Sequence, residues 1–424
     1  MVLGAKQIEE YDGSFRAVHT QDFEYLAAKL DRQGIKAETV VSILQKLQIA
    51  VPSWALGTGG TRFGRFSEGG EPRSLEEKLA DINLLNTLMQ CCQRVSLHIP
   101  WDDPTDRQHI KLLMQDLGLK ADAVNSNTFQ NQAGQKWSYK FGSLSNTDAD
   151  VRRQAIEHNQ YVIELGEALG SKALTVWLAD GSNFPGQHDF RQAFRHTLDS
   201  LEQIYKALPT DWQLLLEYKP YEPNFYATTV PDWGTSFVMV SQLGSKAKTL
   251  VDLGHHLPNT NIEQIVAILQ LQNRLGGFHF NDSQYGDDDL TVGSVKPYQL
   301  FLIFLELIKG YRSGAPEAAY MIDASHNTKD PLEDLIQSLE AIQVAYARAL
   351  LVNLSQLNSA QQEHDTAGAQ QLLQEAFCTD VRPLVQEARL RKGGALQPLL
   401  SYRQAGIRKT LIAQRGSRTT ASGL

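Results

Sequence analysis

Four short apolar runs in the second half of the chain end in a carboxylate or an imidazole: LLLEYKP (214–220), TLVDLGHH (249–256), GGFHFNDSQYGDDD (276–289) and YMIDA (320–324). A buried strand normally ends in turn residues, because an unpaired buried carboxylate costs several kcal/mol unless a cation or a donor meets it. Glu217, Asp252, His279 and Asp323 each stand at such an ending, so successive strands would bring three carboxylates and one imidazole together. Oxygen-rich ligation with one imidazole suits Mn²⁺, Mg²⁺ or Co²⁺, and Zn²⁺ is accommodated. His255, three residues after Asp252, can join Asp287 and Asp289 of the D-x-D sequence in a second, more open group. An enclosed and an open site would divide the work as anchor and Lewis acid. Any one of these residues alone can cap a helix or satisfy a loop. Four in register point to an enzyme.

Other residues surround that constellation. Residues two apart share a strand face, so Lys219 faces the same way as Glu217, with Leu215 beneath, and His279 shares its face with Asn281. Lys219 either pairs with a carboxylate or steadies a substrate oxygen as charge develops on it. His98 ends LHIPW and faces the same mouth, as a satisfied core histidine or as an acid–base group. Trp54, Trp101, Phe129 and Trp177 also fall at run ends, either as core or as a water-poor wall suited to the C–H faces of a sugar. The loop GTGGTRFGR (57–65) lacks the spacing and the Gly-Lys-Ser/Thr of a nucleotide cradle.

Positioning such groups takes a parallel sheet. Eight β-branched or apolar runs (48–56, 94–101, 121–129, 172–178, 212–218, 247–253, 275–280 and 318–323) alternate with helical patterns such as 74–92, 149–170 and 261–277. That alternation predicts an α/β chain folded as a (β/α)₈ TIM barrel with its site at the carboxyl ends of the strands; an open doubly wound sheet is the alternative. Gly276 reads as the C-cap of the third helical pattern. Cys91 and Cys92 read as part of the first, remote from Cys378, so a reducing compartment fits better than a disulfide framework. The expected division is an N-terminal helical segment (1–47), the barrel (48–350) and a C-terminal helical extension (351–424) whose last ten residues look disordered. With 424 residues, 42% hydrophobic and 21% charged, the composition is ordinary globular, and a net charge of −8 recruits neither nucleic acid nor an acidic membrane surface. No apolar run is long enough for a span and the start lacks a signal-like core, which makes the cytoplasm the expected location.

SWALGTGGTRFGRF, LHIPWD, EYKPYEP, LVDLGHH, HFNDSQYGDDDL and MIDASHN together resemble the L-rhamnose isomerase family, specifically the bacterial branch with relaxed aldose specificity on a xylose isomerase-like barrel. The resemblance spans roughly 48–350 and fades beyond. It implies two divalent ions, Mn²⁺ first among them: a structural one held by Glu217, Asp252, His279 and Asp323, and a catalytic one held by His255, Asp287 and Asp289. It further implies that His98 and Lys219 contact a small sugar, that the four aromatic residues line its pocket, and that Phe66 closes over the site of a neighbouring subunit in a homotetramer. The implied reaction is aldose–ketose interconversion by a 1,2-hydride shift, with Asp323 assisting proton transfer between O1 and O2. The same barrel also resembles ketose 3-epimerases, which use one metal and paired glutamates. An enediol route would need a base over C2, and no second strand-end glutamate offers one.

Overall fold

The computed structural model describes residues 3–56, 69–221, 224–324 and 328–417. Phe66, the whole 57–65 loop, and the last residues of the tail lie outside that set, as do residues within the EYKPYEP and MIDASHN motifs.

Eight parallel strands close a barrel in chain order: β1 (Ala50–Pro52), β2 (Arg94–Ile99), β3 (Lys120–Ser126), β4 (Ala173–Val176), β5 (Gln213–Glu217), β6 (Ala247–Asp252), β7 (Leu275–Phe280) and β8 (Ala319–Ile322), with β8 pairing back onto β1. A helix follows each strand, from Leu75–Met89 after β1 to Pro331–Leu350 after β8. Most of these helices start where a short polar side chain replaces the missing intrahelical acceptor. Ser74, Asp106, Asp148, Asp189, Asp232, Asn261 and Asp330 each accept a backbone N–H of the first turn, which stabilises a helix by about 1 kcal/mol per cap. The helix Pro297–Arg312 lacks a side-chain cap of its own, and Asp282 accepts the Val295 and Lys296 N–H groups instead.

Inside the barrel, period-two alternation separates an apolar floor from a polar mouth. Ala123, Leu215 and Leu250 form one buried cluster, and Glu217 and Asp252 stand two residues further along the same strands. Flanking helices Ala5–Asp12, Arg16–Asp31 and Ala37–Leu44 precede the barrel, and five helices from Leu354 to Arg415 follow it. Among the described residues no single helix is long and apolar enough to cross a membrane.

Four expectations need correction. Gly276 does not cap a helix: that helix ends at Leu271, the left-handed residue is Asn273 (φ 53°), and Gly276 lies in β7. A Cβ there would come within 2.5 Å of Leu215 Cδ2 and 2.6 Å of Lys248 Cβ, beside the irregularity in the β6–β7 pairing. Glycine is thus demanded by close packing, not by a turn. Cys91 and Cys92 follow the helix that stops at Met89 rather than belonging to it, because Gln90 turns left-handed (φ 57°). Trp54 sits in a 3₁₀ turn (Ser53–Leu56), Lys219 lies two residues beyond β5, and Asp323 follows β8 with its N–H still donating to the Phe280 carbonyl of β7 at 2.8 Å. Arg415, the first residue of the supposedly disordered tail, ends a helix with its side chain 8% exposed.

Gly276→Ala should lower stability by about 1–3 kcal/mol, the usual cost of an added methyl in a filled interior. Thermal unfolding checks this; an unchanged midpoint would show that Leu215 and Lys248 can yield.

Candidate metal centre

The carboxyl end of β5 carries Glu217, that of β6 Asp252 and that of β7 His279, while Asp323 follows β8 directly. Asp252 and His279 are cross-strand partners. One ligand atom from each of the four lies within 4.8 Å of the others. His279 Nδ1 is 3.3 Å from Glu217 Oε1, 3.4 Å from Asp323 Oδ2 and 3.7 Å from Asp252 Oδ2. None of these approaches has hydrogen-bond geometry, and His279 Nδ1 and Asp252 Oδ2 are both buried without a partner. Four converging donors with two orphaned buried atoms fit one oxygen-rich cation site.

Why Asp252 presents one oxygen is clear from its surroundings. Its Oδ1 accepts the Gly254 N–H at 2.7 Å and Asn281 Nδ2 at 2.9 Å, leaving Oδ2 for the centre. Asn281 also donates to the Asp323 carbonyl at 3.3 Å, so one amide ties two of the strand ends. Trp54 Nε1 donates to Asp323 Oδ1 at 2.8 Å and thereby orients the fourth carboxylate. Such outer contacts fix ligand geometry. The alternation that puts Asn281 on the face of His279 was visible in the sequence, but its partners were not.

Asp252, His255 and Asp287 form a second set within 4.8 Å. Asp252 is common to both sets. His255 Nδ1 is 3.0 Å from the Tyr218 carbonyl oxygen; since a carbonyl only accepts, Nδ1 carries the hydrogen and Nε2, 3.0 Å from Asp287 Oδ1, is the nitrogen that faces the set. The Asp287 N–H donates to the Gly254 carbonyl at 2.9 Å, pinning the acidic loop onto the β6 turn. Asp288 folds that loop by accepting the Gln284, Tyr285 and Gly286 N–H groups. The backbone of Asp287 and Asp289 is left-handed (φ 51° and 49°), a conformation Asp tolerates better than most residues. Asp289 is not in the compact second set and stands next to it, its carboxyl beside that of Asp287. Lys219 pairs with Asp287 and lies 5.2 Å from the Trp177 ring.

Charge explains what this arrangement wants. Burial raises Asp252, and the Glu217 and Asp323 carboxylates raise it further, to about 7, despite the nearby His255. Burial and three acidic neighbours push Asp289 well above the carboxylate range. Burial works against both imidazolium forms, yet the surrounding carboxylates outweigh it: His279 rises to about 10 and His255 also rises well above its ordinary value. Burial alone would raise Glu217, and the two imidazoles reverse it to about 2. Protons are retained where divalent charge would replace them.

His98 belongs to the wall. Its ring stacks on Trp101 (3.9 Å, 20°) and meets Trp54 edge-on at 5.4 Å and Phe129 at 5.6 Å, and Phe129 packs on Trp177 at 4.6 Å. The four aromatic residues named from the sequence are thus one continuous surface. Burial, helped by the charges of His158 and Lys78, lowers His98 to about 3, so it is neutral near pH 7. Sequence reasoning missed Asp102, which accepts the His98 N–H at 2.8 Å, the Ser53 hydroxyl and Lys78 Nζ, and so joins β2, the Trp54 turn and the first barrel helix.

Both Asp252 (about 7) and His279 (about 10) have folded pKa values above their unfolded ones. Their proton-linked stability is complete below the unfolded values and disappears as pH rises through the folded ones. Deprotonation simultaneously opens the donors to a cation. The rise in thermal midpoint produced by Mn²⁺ over EDTA should therefore grow between pH about 6 and about 9; a pH-independent rise would contradict the assignment.

A family model described as xylose isomerase-like TIM barrel matches residues 86–300. Over its whole length the chain is 49% identical to a probable sugar isomerase of Mesorhizobium japonicum, covering 98% of that protein. It is also 49% identical over 417 residues, 98% of this chain and 97% of the relative, to a probable sugar isomerase of Rhizobium meliloti. An L-ribulose 3-epimerase structure superposes on 72% of this chain and 98% of its own at TM-score 0.55 with 13% identity. A 3-keto-D-glucoside 4-epimerase from E. coli superposes on 70% of this chain and 99% of its own at TM-score 0.51 with 15% identity. At those identities the structural likeness speaks for the fold alone. Strand order, family model and full-length relatives agree: the chain belongs to the xylose isomerase-like TIM barrel family.

Proposed function

We propose that this protein is a divalent-metal-dependent aldose–ketose isomerase that interconverts L-rhamnose and L-rhamnulose and accepts related aldoses such as D-allose. The observation that carries the reading is the pair of donor sets sharing Asp252 beside one aromatic wall. Glu217, Asp252, His279 and Asp323 would hold the structural ion; His255 and Asp287, with Asp289 alongside, would hold the catalytic one. Mn²⁺ fits this oxygen-rich set with imidazole nitrogen best, ahead of Co²⁺, Mg²⁺ and Zn²⁺. When bound, such ions polarise a sugar carbonyl and hold adjacent sugar oxygens.

The protein's own groups do the rest. Neutral His98 accepts the proton of the anomeric hydroxyl and returns it to the ring oxygen, opening the sugar. The Trp54–Trp101–Phe129–Trp177 wall keeps water from the open chain while hydride moves between C2 and C1. Asp323, oriented by Trp54, guides the proton between O1 and O2, and Lys219 steadies the oxygen that becomes negative. A single-metal ketose 3-epimerase is the second reading, in keeping with the first donor set alone. It leaves the second set without a task, which favours the isomerase.

Phe184, Phe190 and Phe225 are 56–82% exposed, with Tyr226 beside them, on the connections after β4 and β5. Such a patch suits subunit contact, and we propose a cytoplasmic homotetramer. Light scattering should return about four chain masses; a monomer would refute it.

The decisive test is an NMR time course of Mn²⁺-loaded protein with L-rhamnose deuterated at C2. L-Rhamnulose with deuterium at C1 is the expected product. Deuterium lost to water would replace the hydride shift by an enediol route. No ketose from L-rhamnose or D-allose would overturn the isomerase.

A further inference from the structure

The C-terminal helix Ile407–Arg415 lies far in sequence from every donor, yet it binds Gly69, between β1 and the first barrel helix, and Asp330, between Asp323 and the last one. Arg408 makes two bonds to Asp330, Nη2 to Oδ1 at 2.6 Å and Nε to Oδ2 at 2.8 Å, and from Nη1 a third to the Gly69 carbonyl at 3.1 Å. Asp330 lies seven residues past Asp323 and caps the helix Pro331–Leu350. Gly69 belongs to the connection that leaves β1 through the Trp54 turn. One guanidinium thus joins Gly69 to Asp330. Trp54 Nε1 joins the turn after β1 to the end of β8 through its bond to Asp323.

Further contacts hold the helix in place. Arg415 makes paired bonds to Asp81 at 2.7 and 2.8 Å and donates to the Gly70 carbonyl at 3.1 Å. The Gly70 N–H donates to the Gly416 carbonyl at 3.0 Å. A Cβ on Gly70 (φ +75°) would lie 2.7 Å from Ile412 N, so the two backbones touch with no room for a side chain. The Tyr402 hydroxyl donates to Asp330 Oδ2 at 2.6 Å. Arg408 and Arg415 side chains are only 16% and 8% exposed. Partly buried, bidentate guanidinium–carboxylate pairs hold geometry far better than exposed ones.

We propose that this helix is a positioning element of the metal centre: through Asp330, Arg408 holds the start of the helix Pro331–Leu350, which packs on both the Trp54 turn and β8, and hence sets the places of Trp54 and Asp323. Its dependence on the proposed function is limited to the claim that this mouth is the active site. Arg408 touches no donor and acts only through the segments it binds.

The test compares full-length wild type with Arg408→Met, Arg408→Lys and Arg415→Met, by Mn²⁺ affinity in chelator competition on folded protein, with thermal midpoints and aldose KM and kcat alongside. Loss of a partner bonded directly to a metal ligand weakens binding by about tenfold or more, and removing Arg408, which acts one step further out, should weaken Mn²⁺ binding by about threefold to tenfold. Arg408→Met should show that loss well below its unfolding temperature, Arg408→Lys should recover part of it, and Arg415→Met should follow the same trend. Wild-type Mn²⁺ affinity and KM in folded Arg408→Met and Arg415→Met, whatever their thermal midpoints, would overturn the proposal and leave a stabilising clamp only. If Arg408→Met does not fold, Arg415→Met and Arg408→Lys decide by the same reading. Wild-type protein that binds Mn²⁺ but turns over no aldose would refute the proposed function, while the affinity comparison still decides the role of the helix.

Discussion

A crowd of buried carboxyl groups at the mouth of the barrel, more than its cationic side chains can balance, is the constraint on which the rest of the structure depends. Glu217, Asp252 and Asp287 are at most 5% exposed and share their space with Asp323 and Asp289, against two imidazoles and one ammonium. Burying one ion without compensation costs several kcal/mol, so a set this size persists only if the fold holds it rigidly and either retained protons or an entering cation offset its charge. The barrel meets the first condition. Its parallel strands are hydrogen-bonded on both sides, and the apolar cluster of Ala123, Leu215 and Leu250 lies beneath the donors.

Rigidity at the site comes from contacts that do not themselves face the centre. Asn281 and the Gly254 N–H turn Asp252 so that one oxygen is left over, Tyr218 selects the His255 tautomer, and Asp288 shapes the loop that presents Asp287. Each supplies a donor or acceptor that a cation-binding group needs satisfied on its far side. The polar ring around the donors is therefore as specific as the donors. The same logic extends outward to Asp102, which unites the Trp54 turn with His98, and to the terminal helix with its two arginines.

The wall opposite has a different physical task. Stacked on Trp101 and buried, His98 cannot hold a proton near neutral pH, which makes it an acceptor before it can be a donor. Trp177 bridges from this wall to Lys219 and so to Asp287. Apolar surface and acidic donors thus meet without a polar gap, an arrangement suited to a substrate with both hydroxyls and C–H faces.

Alternation and strand-end chemistry are local, and so they were readable. Period-two runs separated by helical patterns identify eight strands in order, because a parallel barrel buries each strand on both faces and needs a helix between each pair. A carboxylate at the end of an apolar run is equally legible, because nothing else in such a segment pays the desolvation of that charge. The tertiary structure decided what depends on neighbours remote in sequence. Gly276 looked like a cap until its neighbours Leu215 and Lys248, from two other strands, showed why no side chain fits. Asp252 looked like a ligand of one site, and only the docking of the Asp287 loop onto the turn after β6 makes it common to two. Arg415 looked like part of a loose tail, and Asp81, 334 residues away, turns it into an anchor. Pattern determines which face a residue takes, whereas its partner is set by the packing of elements that pattern alone does not bring together.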